Sequence, residues 1–276
     1  MASTLSQSDR LNASLDTWPD WQAEVRSRPT VVRSLDGFTN DNFLITAGTQ
    51  QWSLRLNTKR LLPGIDRPRE RQVIDAVSAA GVMDAPVYQS ETCLVTRYFG
   101  GRYPDLANEM SLAAVGRLFR HIHRIETAVD DVLEPLHYAE ALVDRCAYEH
   151  DTLARCLSTI SDAYHPPEHV CLCHNDLSRE NLIQTPDGLV AIDWEYARLG
   201  DPAFDVAVLV EMGALNDSHV SALLAGYEDE GDLEHRLPGA RLLYALVDVL
   251  WWLSVGEEGA AVEARVAALK QRLSDS

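Results

Sequence analysis

At 276 residues the chain can form one large domain or two lobes, and at this size folding buries roughly 75% of the unfolded surface. Its composition, 46% hydrophobic and 24% charged, is that of a soluble globular protein. The net charge of −18 argues against nucleic acid or an anionic membrane as the main partner, because both demand basic patches, and it is compatible with a cationic ligand. The five cysteines, at 93, 146, 156, 171 and 173, form no CxxC and have no histidine at a spacing suited to zinc, which predicts reduced thiols. No basic-then-apolar leader opens the chain and no apolar run reaches the roughly 18 residues of a membrane span, so a cytoplasmic location is expected.

In chain order, residues 1–16 read as a loose start. Thr17 then caps a short helix with Trp18, Trp21 and Val25 on one face. Val31–Leu35, Phe43–Thr46 and Gln51–Leu56 read as strands. Between the first two lies a polar loop with Gly37, Thr39 and Asn40, where a glycine lets backbone approach a phosphate and the polar side chains add donors. Arg55 alternates with Leu54 and Leu56 and faces away from them. A Pro- and Gly-rich loop over residues 63–68 leads to a helix over 69–80 with Glu70 in its first turn, ended by Gly81. A second hairpin pairs residues 86–88 with 93–98. Phe99-Gly100-Gly101 breaks the strand pattern, and most of the chain beyond it has helical periodicity: 110–127, 138–164, 206–213, 218–227, 241–255 and about 259–273. His123, on or beside the apolar stripe of the first of these, reads as a core histidine.

The informative stretch is Val170 to Asp205. Two short apolar runs each end in a carboxylate, Asp176 and Asp193, and Asn181 lies five residues after the first and twelve before the second. A carboxylate to orient an acceptor proton, then an amide and a carboxylate with hard oxygens for Mg²⁺, are the parts phosphoryl transfer from ATP requires. Asp176 and Asn181 share one loop, and a hairpin returns Asp193 to it.

His174-Asn175-Asp176-Leu177-x-x-x-Asn181, Ile192-Asp193-Trp194-Glu195-Tyr196-Ala197 and Pro202-Ala203-Phe204-Asp205 resemble the protein-kinase-like small-molecule phosphotransferases. These include aminoglycoside phosphotransferases and, more closely, the choline/ethanolamine and thiamine kinases. The resemblance covers about residues 31–255. It implies an α+β, bilobal fold: an antiparallel-sheet lobe over 1–95, a hinge over 96–101, and a mainly helical lobe over 102–276, with ATP between the lobes. It implies Asp176 as catalytic base and Asn181 and Asp193 as Mg²⁺ ligands. Glu195 is left with three roles: a second Mg²⁺, the substrate, or a salt bridge to a nearby arginine. Gly37, Thr39, Asn40, Arg55 (paired with Glu70), Thr96 and Tyr98 are implied for the nucleotide. Asp205 and His174 are expected to support the loop.

Trp251 lies where choline kinases set an aromatic against the quaternary ammonium. Their second tryptophan, three residues on, is Ser254 here, and Trp252 instead adjoins Trp251, where one helix cannot aim both at one wall. The expected acceptor is a small, cationic alcohol of the choline, ethanolamine or thiamine type. An aminoglycoside acceptor and a nucleotide-binding pseudokinase are the alternatives. The missing Asp-Phe-Gly glycine and Ala-Pro-Glu run, and the roughly 80 residues after Asp193, exclude a full protein-kinase lobe.

Overall fold

The structure is a computed structural model that describes residues 6–22, 25–37, 40–57, 62–257 and 259–275. The chain divides into two compact units, residues 6–57 with 83–101 and residues 62–82 with 102–275. Residues 62–82, which chain order assigns to the first lobe, thus belong to the second unit.

The first unit opens with helix α1 (Gln7–Asp16), where the sequence reads as loose. A reciprocal cap explains it: the Asp9 amide donates to the Ser6 hydroxyl, and the Ser6 amide donates to the Asp9 carboxylate. The helix expected after Thr17 is only a 3₁₀ turn, Trp18–Asp20. Thr17 is already spent, since its hydroxyl donates to Ser14 O and accepts from Trp21 Nε1. Strands β1 (Thr30–Leu35), β2 (Asp41–Ala47), β3 (Gln50–Leu56), β4 (Tyr88–Gln89) and β5 (Cys93–Arg97) form one antiparallel sheet in the order β1-β2-β3-β5-β4. Its register sets Phe43 beside Leu54, Ile45 beside Trp52, and Leu54 beside Val95. Alternation therefore gathers Phe43, Ile45, Trp52, Leu54, Leu56 and Val95 on one face, covered by Leu15, Trp21 and Val25.

The second unit begins with α2 (Arg67–Ala79), whose first turn is capped by Asp66 accepting from the Arg69 amide. Then come α3 (Glu109–His123), α4 (Pro135–Val143) and α5 (His150–Ala163). The single helix expected over 138–164 is thus two, because both pieces pack against one later helix and the chain must fold back between them, with Glu149 in the left-handed region at φ 41°. Strand β6 (Cys171–Cys173) pairs with β9 (Arg198–Gly200), and β7 (Leu182–Thr185) pairs with β8 (Gly188–Ala191), all antiparallel. Helices α6 (Pro202–Met212), α7 (Asp217–Tyr227), α8 (Asp232–Ser254) and α9 (Ala260–Asp275) complete the unit. Helix α8 starts nine residues before the expected 241 and carries Pro238 in its second turn. Helix α6 is apolar nearly all round because it is the buried centre.

Two glycines fix α3 against α7. A Cβ on Gly116 would lie 2.0 Å from Leu223 O, and one on Gly226 would lie 2.1 Å from Ala113 O. That backbone approach brings the end of α3, His123, against the end of α7, Tyr227. No helix among the described residues is long and apolar enough to cross a membrane.

Candidate active site

In the second unit, the loop after β6 is held from beneath by one carboxylate. Asp205, in the first turn of α6 and fully buried, accepts from the backbone amides of His174 at 2.9 Å and Asn175 at 2.7 Å. Charge-assisted bonds to consecutive amides fix a backbone direction as well as a position. Asn175 takes φ 63°, a left-handed conformation that asparagine tolerates better than most residues. Its side-chain amide donates to Tyr196 O at 3.2 Å, tying the loop to the segment after Asp193.

Beyond this kink the chain delivers Asp176. Asn181 Nδ2 donates to Asp176 O at 2.7 Å and to its Oδ2 at 3.2 Å. The amide nitrogen is thereby committed to the loop, and the amide oxygen is the atom left for a cation. The β7–β8 hairpin then runs out and back with Leu182 beside Ala191, and the Ile192 amide donates to Asn181 O at 2.9 Å. Asp193 comes next, with φ 65°. Two non-glycine residues in the left-handed region within one small site are local strain held by its surroundings, a pattern that concentrates at functional sites.

His174 joins the two halves. Its Nε2 lies 2.9 Å from Ile192 O, its ring packs 4.6 Å from that of Trp194, and burial holds its pKa below the ordinary imidazole value. A neutral ring donating from Nε2 serves this role. The neighbouring carboxylates have the opposite effect on Asp176: burial first, then Asp193 and Glu195, push its carboxyl well above the usual carboxylate range, against the Asn181 hydrogen bond. Neighbouring carboxyl groups with an amide oxygen beside them match the hard-oxygen donor set of a divalent cation.

Glu195 is 2% exposed and lies 3.0 Å from Arg67 Nη1, which also reaches Glu70 at 2.7 Å. Sequence reading missed Arg67 because it lies in a stretch read as loop; its position three residues before Glu70, on the helix that actually starts there, was the available signal. It also missed Arg69, which donates to Ala197 O at 3.1 Å and pins α2 to the chain after Asp193. Tyr196 accepts from Trp251 Nε1 at 3.1 Å. Trp252 turns away, donating to Asp248 Oδ1 at 3.0 Å under the Arg265 guanidinium. The two tryptophans stand at 90° to each other, so they face different surroundings.

The other residues named for the nucleotide lie in the first unit. Asn40 and Arg55 are buried, and Arg55 Nε donates to Asn57 Oδ1 at 3.2 Å. A Cβ on Gly37 would lie 2.9 Å from the Asn40 backbone carbonyl and would also displace the Asn42 side-chain amide, so the position is tight for any larger residue. Thr96 is half-buried near the end of β5, and the Tyr98 amide donates to Gln51 O. Thr39 lies outside the described residues.

Residues 30–239 match the phosphotransferase enzyme family, APH. The chain belongs to this family. It is 27% identical over 247 residues to Protein LicA of Haemophilus influenzae, covering 82% of this chain and 73% of that one. In fold it is similar to choline kinase LicA from Streptococcus pneumoniae, with a TM-score of 0.71, 20% identity, and 89% and 94% of the two chains covered. A LicA structure in complex with AMP superposes with a TM-score of 0.74 at 19% identity, over 98% of this chain and 99% of the other. The five-stranded antiparallel sheet in the N-terminal part and the mostly helical C-terminal part are the architecture of these kinases. The chain is a small-molecule phosphotransferase whose fold is similar to that of choline kinase LicA.

Proposed function

We propose that the chain transfers the γ-phosphoryl group of ATP, with Mg²⁺, to the hydroxyl of a small cationic alcohol of the choline, ethanolamine or thiamine class. The observation that carries this reading is the joining of Asp176, Asn181 and Asp193 through one loop and one hairpin, with Asn181 Nδ2 donating to Asp176 and the Ile192 amide donating to Asn181 O. Asp176 is the base: its carboxylate sits on the loop that Asn181 fixes, where it takes the acceptor proton as the O–P bond forms. Asn181 and Asp193 hold Mg²⁺, which when bound neutralises phosphate charge. Asp205 and His174 keep the base and the metal-binding carboxylate in mutual register.

In this reading Gly37, Thr39, Asn40, Arg55, Thr96 and Tyr98 serve the nucleotide. Glu70, which pairs with Arg67 in the second unit, is included with them. The acceptor ammonium is recognised by Trp251, whose ring is oriented by Tyr196, and by the adjacent Glu195. A tryptophan face attracts a cation by roughly 0.5–2 kcal/mol. Trp252, engaged with Asp248 and Arg265, is structural.

An ATP-consumption screen over choline, ethanolamine, thiamine, amino alcohols, sugars and aminoglycosides tests the proposal. Turnover with one of the small cationic alcohols is expected. Turnover confined to aminoglycosides, or none in a preparation that binds ATP, contradicts it.

A further inference from the structure

The structure places a second cluster of ligand-type side chains on β6, at the root of the loop that carries Asp176. Cys171 and Cys173 lie two apart on β6 and so share one face, with their sulfurs 3.8 Å apart. A ring nitrogen of His123 lies within 4.8 Å of both sulfurs. The sequence gives no hint of this grouping, because His123 stands 48 residues before Cys171 and is brought there by the Gly116–Gly226 packing of α3 on α7.

The geometry suits a bridging ion better than a disulfide. Two thiolates at about 2.3 Å from a tetrahedral Zn²⁺ are about 3.8 Å apart, the separation already present, whereas an S–S bond needs about 2.05 Å. Backbone pairing of Cys171 with Gly200 and of Cys173 with Arg198 holds the strand extended and opposes that contraction. We propose that Cys171, Cys173 and His123 form a binding site for a soft, thiophilic cation, with Zn²⁺ as its representative.

The surroundings supply the rest of such a site. His123 has both ring nitrogens engaged, Nδ1 with the Tyr227 hydroxyl at 2.9 Å and Nε2 with Asp205 Oδ2 at 3.0 Å. The bond to the neutral phenol is the weaker one to give up. Exchanging it for the metal leaves Nε2–H donating to Asp205, the carboxylate–histidine–metal arrangement that orients metal-bound imidazoles. Two thiol protons leave to solvent as the cation binds, so the two thiolates balance its charge. Cys173 and His123 are buried and Cys171 is half-buried, which leaves one side for entry and for an exogenous fourth ligand. Because Asp205 also holds the His174 and Asn175 amides, the bound cation would anchor the root of the catalytic loop to α3.

The test uses the reduced 276-residue chain in excess Mg²⁺. Calorimetric titration with ZnCl₂ should show one high-affinity ion per chain, and CdCl₂ should produce an ultraviolet thiolate-to-metal absorption. Cys171→Ser should remove that absorption and weaken Zn²⁺ by roughly 10–100-fold or more. Tyr227→Phe, which removes the competing hydroxyl, should tighten Zn²⁺ binding several-fold. It keeps the proposal testable should the cysteine variant fail to fold, as circular dichroism would show. Asp193→Ala should leave the cadmium absorption intact, which separates this site from the phosphoryl-transfer site. The absence of a thiolate band, an unchanged Zn²⁺ affinity in folded Cys171→Ser, or no tightening in Tyr227→Phe would overturn the proposal.

Discussion

Asn181 Nδ2 lies 2.7 Å from Asp176 O and 3.2 Å from Asp176 Oδ2, so one amide group joins the proposed base to the proposed metal ligands. Its nitrogen fixes the loop, its oxygen is the proposed Mg²⁺ donor, and its own backbone carbonyl receives the Ile192 amide just before Asp193. The consequences can be measured residue by residue.

Asp193→Ala should abolish the Mg²⁺ dependence of nucleotide binding. Calorimetry with an ATP analogue, with and without Mg²⁺, should show a clear metal-dependent gain for the parent chain and none for the variant. A variant that keeps the gain would remove Asp193 from the metal site.

Asp205 accepts from two loop amides and lies beside the His123 ring, all in buried surroundings. Asp205→Asn keeps the shape and replaces an acceptor oxygen with a donor facing an N–H group. Unfolding free energy should fall by roughly 2–4 kcal/mol, as for loss of charged, buried hydrogen bonds. Denaturant melts measure this, and a loss under about 0.5 kcal/mol would show that the loop does not depend on the brace.

Trp251 and Trp252 should separate cleanly. Trp251→Ala should raise KM for a cationic acceptor several-fold while leaving KM for ATP nearly unchanged, in line with a cation–π contribution of roughly 0.5–2 kcal/mol. Trp252→Ala should lower Tm with little effect on either KM. Equal shifts in both KM values for Trp251→Ala would make that residue structural.

Much of this site was legible because its parts are close in sequence. Asp176, Asn181 and Asp193 span 18 residues, and a loop plus a hairpin is enough to bring them together. The β2–β3 hairpin and the α3 and α7 stripes were legible for the same local reason. The features that escaped depend on tertiary packing or on small caps. Ser6 and Asp9 turn a polar start into α1, and a helix shared by α4 and α5 breaks the stretch that periodicity reads as one helix. Arg67 meets Glu195 across 128 residues of chain, and His123 meets Cys171 through two glycines; neither has a local sequence signature.

His174 gives a pH signature. Burial lowers its folded-state pKa below the ordinary 6.5, so the unfolded chain takes up a proton that the folded ring resists. Its contribution to stability is therefore present above about pH 6.5 and declines as pH falls below it. Urea melts between pH 7.5 and 5 should show a smaller acid-side loss for His174→Gln than for the parent chain. An equal or larger loss would assign the acid sensitivity elsewhere.

The central claim is that Asp176 removes the acceptor proton during transfer from ATP. Turnover of the best acceptor by the parent chain and Asp176→Asn, measured beside ATP affinity for both, tests it most directly. A fall in kcat of roughly 10²–10⁴ with ATP affinity within a few-fold is the predicted result. An unchanged kcat in Asp176→Asn would contradict the assignment of the base.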